Sequence, residues 1–153
     1  MRRVLAVAEG LSAFLGERAL MGRDAEALGT PKPLMDKLGV KPGMKVTVLR
    51  VRDPAFLAEL TGRRAKVSRR RGRHADLLFL SVETRADLSR LGSIEPSIVR
   101  DGAVWVVFPK GREDIREVEV IESGVAAGLV DIKVVRFSET HTALKFVIPL
   151  SRR

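Results

Sequence analysis

The sequence predicts an α/β domain with a mostly parallel sheet, helices on both faces and a C-terminal antiparallel hairpin. Three observations carry this expectation. Residues 77–82 (LLFLSV) and 103–108 (AVWVVF) are near-continuous apolar runs of strand length, which mark strands covered on both faces, and residues 45–51 (KVTVLRV) alternate at first as a strand does. Helix-start chemistry lies between them, at Asp53-Pro54 and at Thr84 with Asp87. Two β-rich runs, 131–137 and 143–148, are joined by Ser138-Glu139-Thr140-His141-Thr142, which reads as a hairpin. Strands and helices in alternation give a parallel sheet with right-handed crossovers.

Each element has its own warrant. In residues 4–21, Val4, Ala8, Leu11, Phe14, Leu15 and Met21 fall mostly at helical spacing, interrupted by Gly10 and Gly16. Residues 1–28 therefore read as a helical extension ahead of a single domain over 29–153. Gly29-Thr30-Pro31-Lys32-Pro33 breaks that segment, a short helix over 34–38 ends at Gly39, and Lys41-Pro42-Gly43 turns into the first strand. Asp53 caps the next helix, which turns Phe56, Leu57 and Leu60 inward and stops before Gly62. Residues 65–68 form a second, short strand. After 77–82, a helix opening at Thr84 buries Leu88 and Leu91. The strand over 103–108 is bounded by Asp101-Gly102 and Pro109-Lys110-Gly111. A helix over 113–126 carries Ile115, Val118, Ile121 and Val125 on one face, with Glu113 and Asp114 complementing its dipole. Gly124 and Gly128 read as a close packing point and a helix end.

Composition narrows the function classes. The chain has 153 residues, 45% of them apolar and none of them Cys, and a chain of this size buries roughly 68–70% of its unfolded surface without metal or disulfides. A disulfide scaffold and a thiolate zinc site are excluded, and with His74 and His141 as the only histidines so is a histidine-rich metal site. No apolar window approaches the roughly 20 residues that span a bilayer, and Glu9 interrupts the N-terminal apolar run too early for a signal peptide. The expected location is cytoplasmic.

The net charge of +9 lies wholly in the middle: residues 1–30 hold four basic and four acidic groups, residues 111–153 seven of each, and residues 31–110 seventeen against eight. Within that segment Arg63, Arg64, Lys66, Arg69, Arg70, Arg71 and Arg73 fall within eleven positions without one acid. Such a run is either a solvated loop or the footprint of a phosphate backbone. The second alternative predicts a polyanion partner, RNA ahead of a specific DNA sequence because no helix-turn-helix pattern is present. It also predicts that reversing the charge of Arg69, Arg70 and Arg71 weakens binding without unfolding the domain.

The alternation of elements looks like the fold of the class I S-adenosylmethionine-dependent methyltransferases, which also close with an antiparallel hairpin. That likeness implies a Rossmann-like strand order of 65–68, 45–51, 77–82, 103–108, 143–148 and 131–137. More narrowly, Gly29-Thr30-Pro31 with PLMDKLGVKPG (33–43), Trp105 to Lys110 (WVVFPK), AGLVD (127–131), Glu139-Thr140 and LKFV (144–147) resemble a small uncharacterised bacterial family of methyltransferase-like proteins, over about residues 29–148. The resemblance implies S-adenosylmethionine as a cofactor, bound by a Gly-rich turn after the first strand and by an acid after the second. This chain has Leu49-Arg50-Val51-Arg52-Asp53-Pro54 at the first position and Ser68-Arg69-Arg70 at the second. The expectation is therefore a non-catalytic binding protein with no cofactor, the alternative being a divergent methyltransferase.

In open parallel sheets ligands bind outside the carboxyl ends of the strands. That edge should gather Arg52, Asp53, Ser81, Glu83, Lys110, Glu139, Thr140 and His141, of which Arg52, Asp53, Glu83, Lys110, Glu139 and His141 are the candidate ligand-binding residues. Each also has an ordinary reading: Asp53 as a cap, Lys110 in a turn, Glu139 and His141 in an exposed hairpin. Ser81 lacks the Gly-x-Ser-x-Gly elbow of a hydrolase nucleophile, and Trp105 reads as core. The segment 4–21 is the expected contact of a homo-oligomer.

Overall fold

The computed structural model describes residues 32–153. The expected helix over 4–21, and any oligomer contact through it, lie outside the described residues. The chain divides into two compact units, Met1–Leu38 and Gly39–Arg153. Of the first, the described part holds one short helix, α1 (Leu34–Leu38).

The second unit is built on a six-stranded sheet. Its elements are β1 (Lys45–Leu49), α2 (Pro54–Gly62), β2 (Lys66–Ser68), β3 (Ala75–Ser81), 3₁₀ segments Arg85–Ser93 and Glu95–Ser97, β4 (Ile98–Pro109), α3 (Glu117–Ala126), β5 (Val130–Arg136) and β6 (His141–Val147), ahead of a last 3₁₀ turn. The order across the sheet is β2-β1-β3-β4-β6-β5. β2, β1, β3 and β4 run parallel, while β6 pairs antiparallel with both β4 and β5. This is the order that the methyltransferase resemblance implies.

The sheet has two apolar faces, because neighbouring residues of a strand point to opposite sides. One carries Leu78, Leu80, Val104, Val106, Leu144 and Phe146, packed with Leu88 and Leu91 of the 3₁₀ segment and with Val120 of α3. On the other face Phe56 of α2 meets Phe79 at 5.0 Å and Phe137 at 4.9 Å between ring centres. Trp105 is fully buried, as expected of a core residue, with the Lys145 ammonium 5.8 Å from its ring centre. Burial pushes the pKa of that lysine down.

Three elements depart from expectation. β4 starts at Ile98, so Asp101-Gly102 lies inside the strand rather than before it. The β3–β4 register shifts there, and a Cβ on Gly102 would stand 2.9 Å from the Asp76 carbonyl oxygen. Glycine is needed for close approach, not for a turn. The segment after Thr84 is 3₁₀ rather than α, although Leu88 and Leu91 are buried as expected. Its start is anchored by the Asp87 carboxylate, which accepts from the amides of Glu83 (2.9 Å) and Thr84 (3.2 Å). Gly92, Ser93 and Pro96 leave no room for a longer α-helix.

The third departure is α3, which begins at Glu117, not at 113. The Glu119 carboxylate accepts from the Arg116 amide at 2.9 Å. Its buried residues are Val120 and Gly124, while Val118 and Val125 are 47% and 57% exposed. The Phe146 ring explains the rotation: a Cβ on Gly124 would come within 2.0 Å of it. The inner face turns on a glycine that apolar periodicity does not count.

Candidate functional site

At the carboxyl edge, β1 runs into Arg50, whose φ of 66° lies in the left-handed region. The chain then reaches Asp53, whose Oδ1 accepts from the amides of Ala55 (3.0 Å) and Phe56 (3.2 Å), and Pro54 starts α2. β3 ends at Ser81, only 8% exposed. Across the sheet the hairpin is closed by Ser138, whose Oγ accepts from the amides of Thr140 (3.3 Å) and His141 (3.1 Å). This fixes His141 between two partners: Nδ1 lies 2.8 Å from Thr140 Oγ1, and Nε2 lies 2.8 Å from Glu83 Oε2. Arg112 stands 3.8 Å from the other Glu83 oxygen and is itself bonded to Asp114.

These segments surround a cleft of about 610 Å³. Of the candidate residues, Arg52, Asp53, Glu83 and His141 line it, together with Ser81 and Thr140. Lys110 and Glu139 do not; Lys110 instead donates its amide to the Thr140 carbonyl at 3.0 Å, holding the hairpin. Arg50, Phe137 and Ser138 also line the cleft and were not candidates. The position of Arg50 directly after a strand was the signal available for it.

A second cleft, of about 540 Å³, shares no residue with the first. It arises from an unusual connection. β2 and β3 are parallel with β1 between them, and only residues 69–74 join them, where such crossovers normally take a dozen residues or more and a helix. The basic run is thus drawn across the sheet face. Arg69 reaches the Val51 carbonyl at 3.3 Å, while Arg71 donates to Ser97 Oγ at 3.1 Å and to the Ser93 carbonyl. Arg70 and Arg73 line the cleft with Lys66, Lys45, Thr47 and Ser68. Arg63 and Arg64 lie outside it, at the end of α2, where Arg64 has a φ of 63° and its carbonyl accepts from Gly43. The seven-residue cluster is thus divided, and reversing Arg69 or Arg71 would break contacts that hold the crossover down.

Among the described residues no cluster of His, Cys, Asp and Glu could hold a metal ion, and no helix is long and apolar enough to cross a membrane. No protein-family model matches the chain, and no curated protein matches its sequence. Solved structures do match. A SAM-dependent methyltransferase from Aquifex aeolicus superposes with a TM-score of 0.60 at 13% identity, over 76% of this chain and 88% of that one. The pyocyanin biosynthetic protein PhzM gives 0.52 at 13% identity, over 75% and 53%. The ribosomal protein L11 methylase from Lactobacillus delbrueckii subsp. bulgaricus gives 0.50 at 11%, over 74% of each. The fold is methyltransferase-like.

That fold implies S-adenosylmethionine, and the local geometry argues against it. Arg50 takes up the left-handed conformation that glycine adopts without strain, and so brings a guanidinium to the turn where the backbone should lie bare. Asp53 is engaged in capping α2. After β2 there is no carboxylate for a ribose; Arg69 extends from there to the end of β1 instead. The residues present do not fit the cofactor in the manner the fold would hold it.

Proposed function

We propose that this protein is a non-catalytic binding protein on a methyltransferase-like fold, and that it holds a polyanion, RNA in the first instance, on the basic crossover. One observation carries the reading: Lys45, Lys66, Arg70 and Arg73 are exposed around one cleft, and none has an ion-pair partner among the described residues. Cations grouped in this way release counterions when they meet a phosphate backbone. With no Tyr in the chain and Trp105 buried, base stacking contributes little, so binding is electrostatic and weakly sequence-dependent.

The test is anisotropy of a labelled single-stranded RNA over a salt series. Single strands give a slope of log affinity against log salt of about −0.7 per phosphate neutralised, so four contacts predict roughly −3. Absent or salt-insensitive binding overturns the reading. The second reading, a divergent methyltransferase, is favoured by the open cleft at the carboxyl edge. It requires S-adenosylmethionine to raise Tm in a concentration-dependent way, whereas the proposal requires Tm to stay unchanged.

A further inference from the structure

The geometry points to a second binding site: the carboxyl-edge cleft takes a small hydroxylated phosphate ester, of sugar-phosphate size, in place of the sulfonium cofactor of the fold. Ser81 is the first reason. It is 8% exposed, it lines the cleft, and its hydroxyl has no hydrogen-bond partner among the described residues. Buried hydroxyls are ordinarily bonded, and one that borders a cavity is satisfied by what enters the cavity. The volume of about 610 Å³ lies in the range of small-molecule sites.

The residues that line the cleft offer two kinds of group. Arg50 and Arg52, from one turn, present guanidinium forks suited to a phosphate. Arg50 does so from a backbone conformation strained for any residue but glycine, and strain of this kind gathers at ligand sites. These two cations disfavour a ligand whose own centre is a sulfonium or ammonium. The lining also holds Glu83, held by His141 at 2.8 Å, and the Thr140 hydroxyl, bonded to the other nitrogen of that histidine. A carboxylate accepts from sugar hydroxyls, and the hydroxyls of Thr140 and Ser81 both donate and accept. The cleft thus offers cations for an oxyanion together with donors and acceptors for a polyol.

Calorimetric titration of the full chain with ribose 5-phosphate tests this, with ribose, inorganic phosphate and S-adenosylmethionine as comparisons. The expected result is saturable binding of ribose 5-phosphate, tighter than that of either fragment. Arg52→Gln should weaken it about tenfold and Ser81→Ala about threefold to tenfold. Both variants are first shown to melt cooperatively like the parent. Arg70→Glu/Arg73→Glu, on the other cleft, should leave it within about twofold. No binding overturns the inference, as does binding unaffected by Arg52→Gln, binding lost in the Arg70/Arg73 variant, or preference for S-adenosylmethionine. Failure of ribose 5-phosphate with RNA binding intact removes this inference alone, and the reverse outcome removes the polyanion reading alone.

Discussion

One cleft lies along β1 and the other at the turn that follows it, and the two are assembled in opposite ways. The basic cleft draws most of its charge from one contiguous run, pulled across the sheet by a six-residue crossover. The carboxyl-edge cleft draws on separate segments, 50–54, 81–83, Val107 and 137–141, that only the sheet order brings together. A contiguous run announces itself in sequence but hides its division of labour. A dispersed site is invisible until topology is known, yet each of its members then has a definite place.

That contrast can be broken most sharply at the crossover. Arg70→Glu/Arg73→Glu should lower RNA affinity about tenfold or more and flatten the salt slope by about 1.4, with Tm unchanged. Arg71→Ala should do the opposite. It loses the bonds to Ser93 and Ser97, so thermal melting should show a fall of several degrees. RNA affinity, measured where both proteins are folded, should change less than twofold or so. Equal Tm for the two proteins would erase the distinction between holding and binding arginines.

A smaller effect is expected at the anchor beside the other cleft. The amide of Glu83 holds the Asp87 carboxyl below its ordinary value of 3.8. A depressed folded-state pKa means that the contribution is present at neutral pH and is lost as pH falls through that value. Asp87→Asn should cost about 1 kcal/mol in urea unfolding at neutral pH, as loss of a cap does. The gap from the parent should close below about pH 4; a gap that persists in acid would assign the loss to packing instead. The smallest effect belongs to Arg50→Gly. It relieves a left-handed arginine and should be neutral or stabilising by up to about 1 kcal/mol in the same assay. It also places a glycine in the turn after β1, so a gain of S-adenosylmethionine binding would show that this side chain alone excludes the cofactor.

Much of the fold was legible because strands buried on both faces are written as apolar runs, and because Asp53-Pro54 states a helix start in two residues. The face of α3 was not legible. Gly124, read as a close packing point, does pack under Phe146, but a glycine carries no hydrophobic signal and the exposed Val118 and Val125 carry a misleading one. Gly102 misled in the same way, reading as a boundary where two strands approach closely. At the site, Arg52, Asp53, Glu83 and His141 were placed by knowing which strand ends share an edge. Arg50 was missed because its role depends on a backbone conformation, and the split of Arg69 and Arg71 from Arg70 and Arg73 because hydrogen bonds to distant carbonyls leave no local pattern.

The most direct measurement is the salt dependence of RNA affinity in the parent and in Arg70→Glu/Arg73→Glu, side by side. A steep slope in the parent that becomes shallower by about 1.4 in the variant is the predicted result. Identical slopes, or a parent that ignores salt, would contradict the claim that the basic crossover is where this protein binds.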